Sequence, residues 1–128
     1  MNFNTNKEKG NTSLGIAIAY YTSNGYTVSI PLNDTQDYDL IVDKDSILKR
    51  VQVKSTSCID KNGKYQVALK SCGETKGTTY KTIKDTKVEE IFIFLENKDI
   101  YIIPIDKINN KSTLAICEKY KEYKKNLY

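Results

Sequence analysis

The sequence predicts an α/β fold, a sheet flanked by helices, and three observations carry that reading. The chain opens with apolar residues at helical spacing over residues 6–23. Short segments of alternating or fully apolar character follow, and a lysine-rich stretch over residues 112–126 closes the chain with Leu114, Cys117 and Tyr120 three apart. At 128 residues, 39% of them hydrophobic, the chain suits one domain around one core.

In the first helix, Leu14, Ala17, Ile18 and Tyr21 share a face, and Glu8, Thr12, Gly15 and Ala19 form a neighbouring stripe that is small after the acid. That stripe is expected to lie close against the sheet and to hold Glu8 over its edge. Asn24-Gly25 ends the helix, the glycine supplying a left-handed cap. Tyr26–Ile30 alternates with period two and reads as a strand. Tyr38–Val42 and Arg50–Lys54 read as two more, and the Asp43-Lys44-Asp45-Ser46 turn chemistry joins them as a hairpin. Tyr65–Lys70 is a fourth strand, and the polar residues 71–87 are expected to form a mobile loop. Glu90–Leu95 and Ile100–Ile105 bracket Glu96-Asn97-Lys98-Asp99 as a second hairpin, and residues 112–126 are expected to be helical.

Composition removes several kinds of chemistry. There is no histidine, so Ser-His-Asp and Cys-His catalysis, histidine metal sites and a histidine general base are all excluded. Cys58, Cys72 and Cys117 are odd in number and widely spaced, which suggests neither a disulfide framework nor a zinc site. No segment approaches the ~18–20 apolar residues that span a bilayer, and Met1-Asn2-Phe3-Asn4 lacks the pattern of a signal peptide, so a cytoplasmic location is expected. The net charge of +4 comes from lysines, with Arg50 the only arginine. Such a balance permits phosphate contacts while offering few tools for bidentate reading of guanine.

The chemically informative segment is residues 31–54. Asp39 sits in an apolar strand, where a carboxylate must be paired, exposed at an edge or bound to a metal. Gln52 and Lys54 are two apart on a strand and point to one face, away from Val51 and Val53. In the hairpin the two strands run roughly 5 Å apart, so Asp39 can approach both. Oxygens beside one ammonium suit Mg²⁺-assisted phosphodiester hydrolysis. The cation takes hard oxygen ligands and lowers the pKa of a bound water, and a lysine offsets developing charge. Glu8 would be a further ligand or a water-positioning acid. Structural readings stand beside these: a salt-bridged strand acid for Asp39, solvent-facing strand residues for Gln52 and Lys54, and a dipole-favoured acid for Glu8.

An acid-bearing helix, a strand, Pro31…Tyr38-Asp39-Leu40-Ile41-Val42 and then Arg50-Val51-Gln52-Val53-Lys54-Ser55 resemble the PD-(D/E)XK nuclease superfamily over residues 7–57. The resemblance implies a restriction-endonuclease-like core with a mixed central sheet. It is greatest to the branch that includes group I intron homing endonucleases, in which Gln replaces the motif acid. The Ile91-Phe92-Ile93-Phe94…Tyr101-Ile102-Ile103-Pro104 hairpin also resembles that branch. Carried over by position, Asp39 is the metal-binding acid, Gln52 stands for the usual Asp or Glu, Lys54 is the motif lysine and Glu8 the helix acid. Gln52 removes one negative charge, which weakens metal affinity, and Pro31 stands far from Asp39.

The expected protein is a Mg²⁺-dependent DNA endonuclease that accepts Mn²⁺. Specific DNA binding usually buries ~1,000–2,500 Å² of protein surface, and a subunit of this size covers little DNA. Cutting two strands also needs two sites, so a homodimer or homotetramer is expected. The alternatives are a Holliday junction resolvase, whose archaeal-type members share the core and the helix glutamate, and an inactive nuclease-fold protein that binds nucleic acid or serves as an immunity partner. Lys76, Lys81 and Lys84 near Tyr80, and the terminal run of Lys119, Lys121, Lys124 and Lys125 among tyrosines, are candidate backbone contacts. Ser55, Thr56 and Ser57 are candidate phosphate donors.

Overall fold

A computed structural model describes residues 5–33, 35–69, 71–72, 80–81, 86–109 and 112–127. Helix α1 runs Asn6–Ser23, as the periodicity predicts. Thr5 caps it, its hydroxyl accepting the Glu8 amide at 3.0 Å, and Gly25 leaves it in the left-handed region at φ +85°. Strands β1 (Thr27–Ser29), β2 (Leu40–Lys44) and β3 (Ile47–Thr56) follow. Lys44 opposes Ile47 across a two-residue turn in which Asp45 and Ser46 both take positive φ, the geometry that matches the twist of a tight hairpin.

The central sheet is mixed. Naming β7 (Glu90–Leu95), β8 (Ile100–Pro104) and β10 (Lys124–Lys125), its order is β1-β2-β3-β7-β8-β10. Only β3 and β7 pair in parallel, with Gln52 opposite Ile91 and Lys54 opposite Ile93. β7 lies in the middle of the sheet and every one of its six residues is buried. The continuous apolar run after Glu90 is what burial on both faces requires.

One face of the sheet packs on α1. Ala17 and Tyr21 meet Leu40, Val42, Val51, Phe92 and Phe94 there. The other face buries Ile91, Ile93, Leu95 and Ile103 beneath a small two-stranded layer. That layer is β4 (Gln66–Ala68) paired with β9 (Thr113–Ala115). Alternation along β3 therefore assigns Val51 and Val53 to the helix side and Gln52 and Lys54 to the other.

Three expectations need correction. The small stripe of α1 does not touch the sheet: Gly15 and Ala19 are exposed, and a Cβ on Gly15 would meet nothing within 4 Å. The approach is made one position over, by buried Ser13, Ala17 and Tyr21, where two small side chains precede the ring. Within the expected Tyr65–Lys70 strand, Gln66–Ala68 forms one, but outside the central sheet. Residues 112–126 are not an α-helix: they form β9, a 3-10 segment over Glu118–Tyr123, and β10. Leu114, Cys117 and Tyr120 fit a helical face in isolation. Pairing Leu114 opposite Val67, and Lys124 and Lys125 along the edge of β8, instead buries the apolar residues and closes two ladders. Within the predicted 71–87 loop, Ser71–Cys72 (β5) pairs with Tyr80–Lys81 (β6). Lys76, Lys84 and the side chains of Lys81 and Tyr80 lie outside the described residues. Among the described residues no helix is long and apolar enough to cross a membrane.

Two buried tyrosines differ in their partners. The Tyr21 hydroxyl donates to Glu90 Oε2 at 2.6 Å, tying α1 to the start of β7, while Lys49 Nζ stands 3.5 Å from Glu90 Oε1. Burial first, and then the Glu90 charge, hold the Tyr21 phenol far above its ordinary value, so it stays a donor throughout the working range. The buried Tyr120 hydroxyl has no partner among the described residues. Tyr21→Phe leaves a buried carboxylate short of a donor and is expected to lower unfolding free energy by about 1–3 kcal/mol. Tyr120→Phe removes an unsatisfied hydroxyl and is expected to leave stability equal or raised by about 1 kcal/mol. Urea unfolding is expected to show a loss for Tyr21→Phe and none for Tyr120→Phe, and equal losses would contradict the assignment.

Candidate active site

The site lies where β2 stops pairing with β3. The last register pair is Leu40 with Val51, and the Asp39 amide makes one further bond to the Val51 carbonyl at 2.8 Å. Beyond that point the Asp39 side chain replaces the backbone: its Oδ2 accepts the Val53 amide at 2.7 Å. A carboxylate thus finishes the ladder, and β3 continues to Thr56 bonded to β7.

Gln52 is held by the same segment. Its Nε2 donates to the Asp37 carbonyl at 3.1 Å, and its Oε1 is buried with no partner among the described residues. Lys54, half-buried, is next on this face. Burial pushes its ammonium below the ordinary lysine value, and the Asp39 charge pulls it partly back. Asp39 responds in mirror image. Although the residue reaches solvent, the protein around its carboxyl raises the pKa, and the Val53 amide and Lys54 lower it in part. Desolvation therefore works against both charges, and each partner offsets the other's cost.

This donor set fits a hard divalent cation. A buried carbonyl oxygen without a donor is costly, and a cation satisfies it. Among the described residues no three Cys, Asp or Glu side chains gather to hold a metal. A cation here would rest on Asp39 and Gln52, its remaining positions filled by water and substrate.

Glu8 is placed differently. It is exposed at the third position of α1, on the helix side of the sheet, and no hydrogen bond or ion pair joins its carboxylate to Asp39, Gln52 or Lys54 among the described residues. The helix start is nonetheless fixed to the far end of β3, because Lys9 Nζ donates to Ser57 Oγ at 3.0 Å. The structure thus brings together Asp39, Gln52 and Lys54, while Glu8 is linked to their strand only through the neighbouring Lys9 and Ser57.

Two contributors escape side-chain reasoning, the Asp37 carbonyl and the Val53 amide, since both are backbone groups. Nearby, the Arg50 guanidinium lies 5.9 Å from the Tyr38 ring centre and 3.7 Å from Glu89, so the chain's one arginine is partnered beside the site. Thr56 is spent structurally, donating to the Gln66 carbonyl at 2.7 Å. Lys121 pairs with Glu118 and Lys124 with Asp99, leaving the terminal lysines on exposed or edge positions.

Comparison with known proteins accords with this geometry. A bacterial homing endonuclease, I-Ssp6803I, has a solved structure that superposes with a TM-score of 0.76 at 28% identity, covering 91% of this chain and 81% of that one. Protein 5.3 of Escherichia phage T7 is 28% identical over 110 residues, 84% of this chain and 87% of its own length. The family model for PD-(D/E)XK endonucleases matches residues 4–127, nearly the whole chain, and the protein belongs to that family.

Proposed function

We propose that the chain is a divalent-metal-dependent DNA endonuclease, homing-endonuclease-like, that hydrolyses phosphodiester bonds at Asp39, Gln52 and Lys54. The observation that carries this is the Gln52 Oε1, buried and without a partner among the described residues, on the same face of β3 as Lys54, whose ammonium interacts with the Asp39 carboxylate. Membership of the family and the likeness to a homing endonuclease support it.

Asp39 and Gln52 would hold Mg²⁺, or Mn²⁺ in its place, through one carboxylate and one amide oxygen. When bound, such a cation lowers the pKa of a coordinated water and offsets phosphate charge. The chain's own part is to orient the ligands and to place charge. The Val53 amide fixes the Asp39 carboxylate, leaving it further lone pairs for a cation. Lys54, held in place by burial and by Asp39, puts positive charge where a phosphate oxygen gains negative charge. Glu8, at the tethered start of α1, positions a water or adds an outer ligand. A homodimer or homotetramer supplies the two sites that a double-strand cut needs.

The test is cleavage of supercoiled plasmid, a labelled four-way junction and an AT-rich genomic library, each with Mg²⁺, Mn²⁺ or EDTA. Nicking or cutting in either metal and none in EDTA is expected, with Lys54→Ala and Asp39→Ala reducing the rate by about 10²–10³ or more. Preference for the junction would identify a resolvase instead. If no substrate is cut while binding persists unchanged in Asp39→Ala, the chain is a binding module. Glu8→Ala is expected to slow cleavage by a smaller factor, roughly tenfold, because its carboxylate lies outside the inner group. Sedimentation run alongside tests the assembly: a species that stays monomeric and makes double-strand cuts would contradict the two-site requirement.

A further inference from the structure

The contact between Gln52 and Asp37 bears on which side chain position 52 accepts. A glutamine amide can be turned either way, and its neighbours decide which end faces where. Here the neighbour is a carbonyl oxygen, an acceptor only, so the NH₂ end must face Asp37 and the oxygen must face away. That oxygen is the buried atom without a partner among the described residues. The residue supplying the carbonyl precedes the metal-binding acid by two positions, and Asp39 is bonded to β3 at the Val51 carbonyl and the Val53 amide. Three ties from residues 37–39 to β3 therefore set the acid and the amide relative to each other.

We infer that the Asp37 backbone carbonyl is the positioning group that turns Gln52 Oε1 into the site, and that this contact makes position 52 selective for an amide over a carboxylate. The inference rests on the metal-binding reading given above for Gln52 and adds its orienting partner. A glutamate of the same length has no N–H to offer. One of its oxygens would face the Asp37 carbonyl at the distance the amide now bridges, two acceptors opposed in a partly buried place. Counting charges alone gives the opposite expectation, since an added carboxylate should bind a divalent cation more tightly. The sign of the Gln52→Glu effect separates the two.

The experiment uses metal-free and Mn²⁺-titrated full-length protein. In nitrogen-edited NMR spectra the Gln52 side-chain NH₂ pair is identified by its absence from Gln52→Leu. Slow solvent exchange of that pair is expected in the metal-free wild type. Gln52→Glu is expected to melt roughly 3–10 °C below wild type and to bind Mn²⁺ about fivefold or more weakly. Gln52→Leu, with no opposed acceptor, melts closer to wild type, so unfolding of Gln52→Glu alone counts as the same loss in its extreme form. A fast-exchanging, free NH₂ pair would overturn the inference. So would a Gln52→Glu protein that melts like wild type and binds Mn²⁺ equally or better. A wild type that binds no Mn²⁺ would remove the metal reading, while amide exchange and melting still decide the Asp37 contact.

Discussion

The termination of one ladder organises the molecule. β3 is the sheet's long strand, and β2 covers only its first part. Where β2 ends, backbone hydrogen bonding on that side of β3 passes to a side chain, the Asp39 carboxylate on the Val53 amide. Had β2 run on, Val53 would be satisfied by main chain and the strand's flank would be closed. Because it does not, a short length of β3 keeps its β7 side rigid and its other side open to polar chemistry. Residues 52 and 54 occupy that length. The two ionic groups there are held close while each is partly desolvated, a condition that a buried core would not tolerate and open water would dilute.

That arrangement needs an unyielding strand behind it. β7 supplies one: six buried residues, bonded to β3 on one side and β8 on the other, with apolar layers above and below. Helix α1 fastens to the same strand through the hydrogen bond from Tyr21 to Glu90, at the end of the sheet remote from Thr56. The other end of the helix is fastened to Ser57 by Lys9. With both ends held, the helix start that carries Glu8 has a defined position relative to the motif strand, even though the sheet separates its face from that of Gln52 and Lys54.

Local signals made much of this legible. The bounds of α1 follow from a 3.6-residue period and an Asn-Gly stop, and both hairpins from short turns between apolar runs. Asp39, Gln52 and Lys54 stand out because polar groups interrupt apolar strands at matched spacing, and the structure does bring them together. The failures have a common cause in long-range pairing. Nothing near Leu114 announces Val67 as its partner, and its spacing to Cys117 and Tyr120 satisfies a helix equally well. The choice between a Gly15 stripe and a Ser13–Ala17 stripe turns on where the sheet lies, which the helix sequence does not contain. The Asp37 carbonyl is invisible for a simpler reason: every residue has one, and only the fold says which matters.

The parallel pairing of β3 with β7 also governs when the site can exist. Gln52 and Lys54 lack their neighbours on that side until Ile91 and Ile93 have been synthesised, because the partner strand is separated from them by the whole of β4, β5 and β6. Closing so long a loop carries an entropic cost that later contacts must offset, so pairing and core formation arrive together. A nascent chain that has emerged only through the motif strand therefore carries every residue of the inner group yet lacks the strand that backs them. The order of synthesis itself thus withholds the backing of the site until β7 has been made.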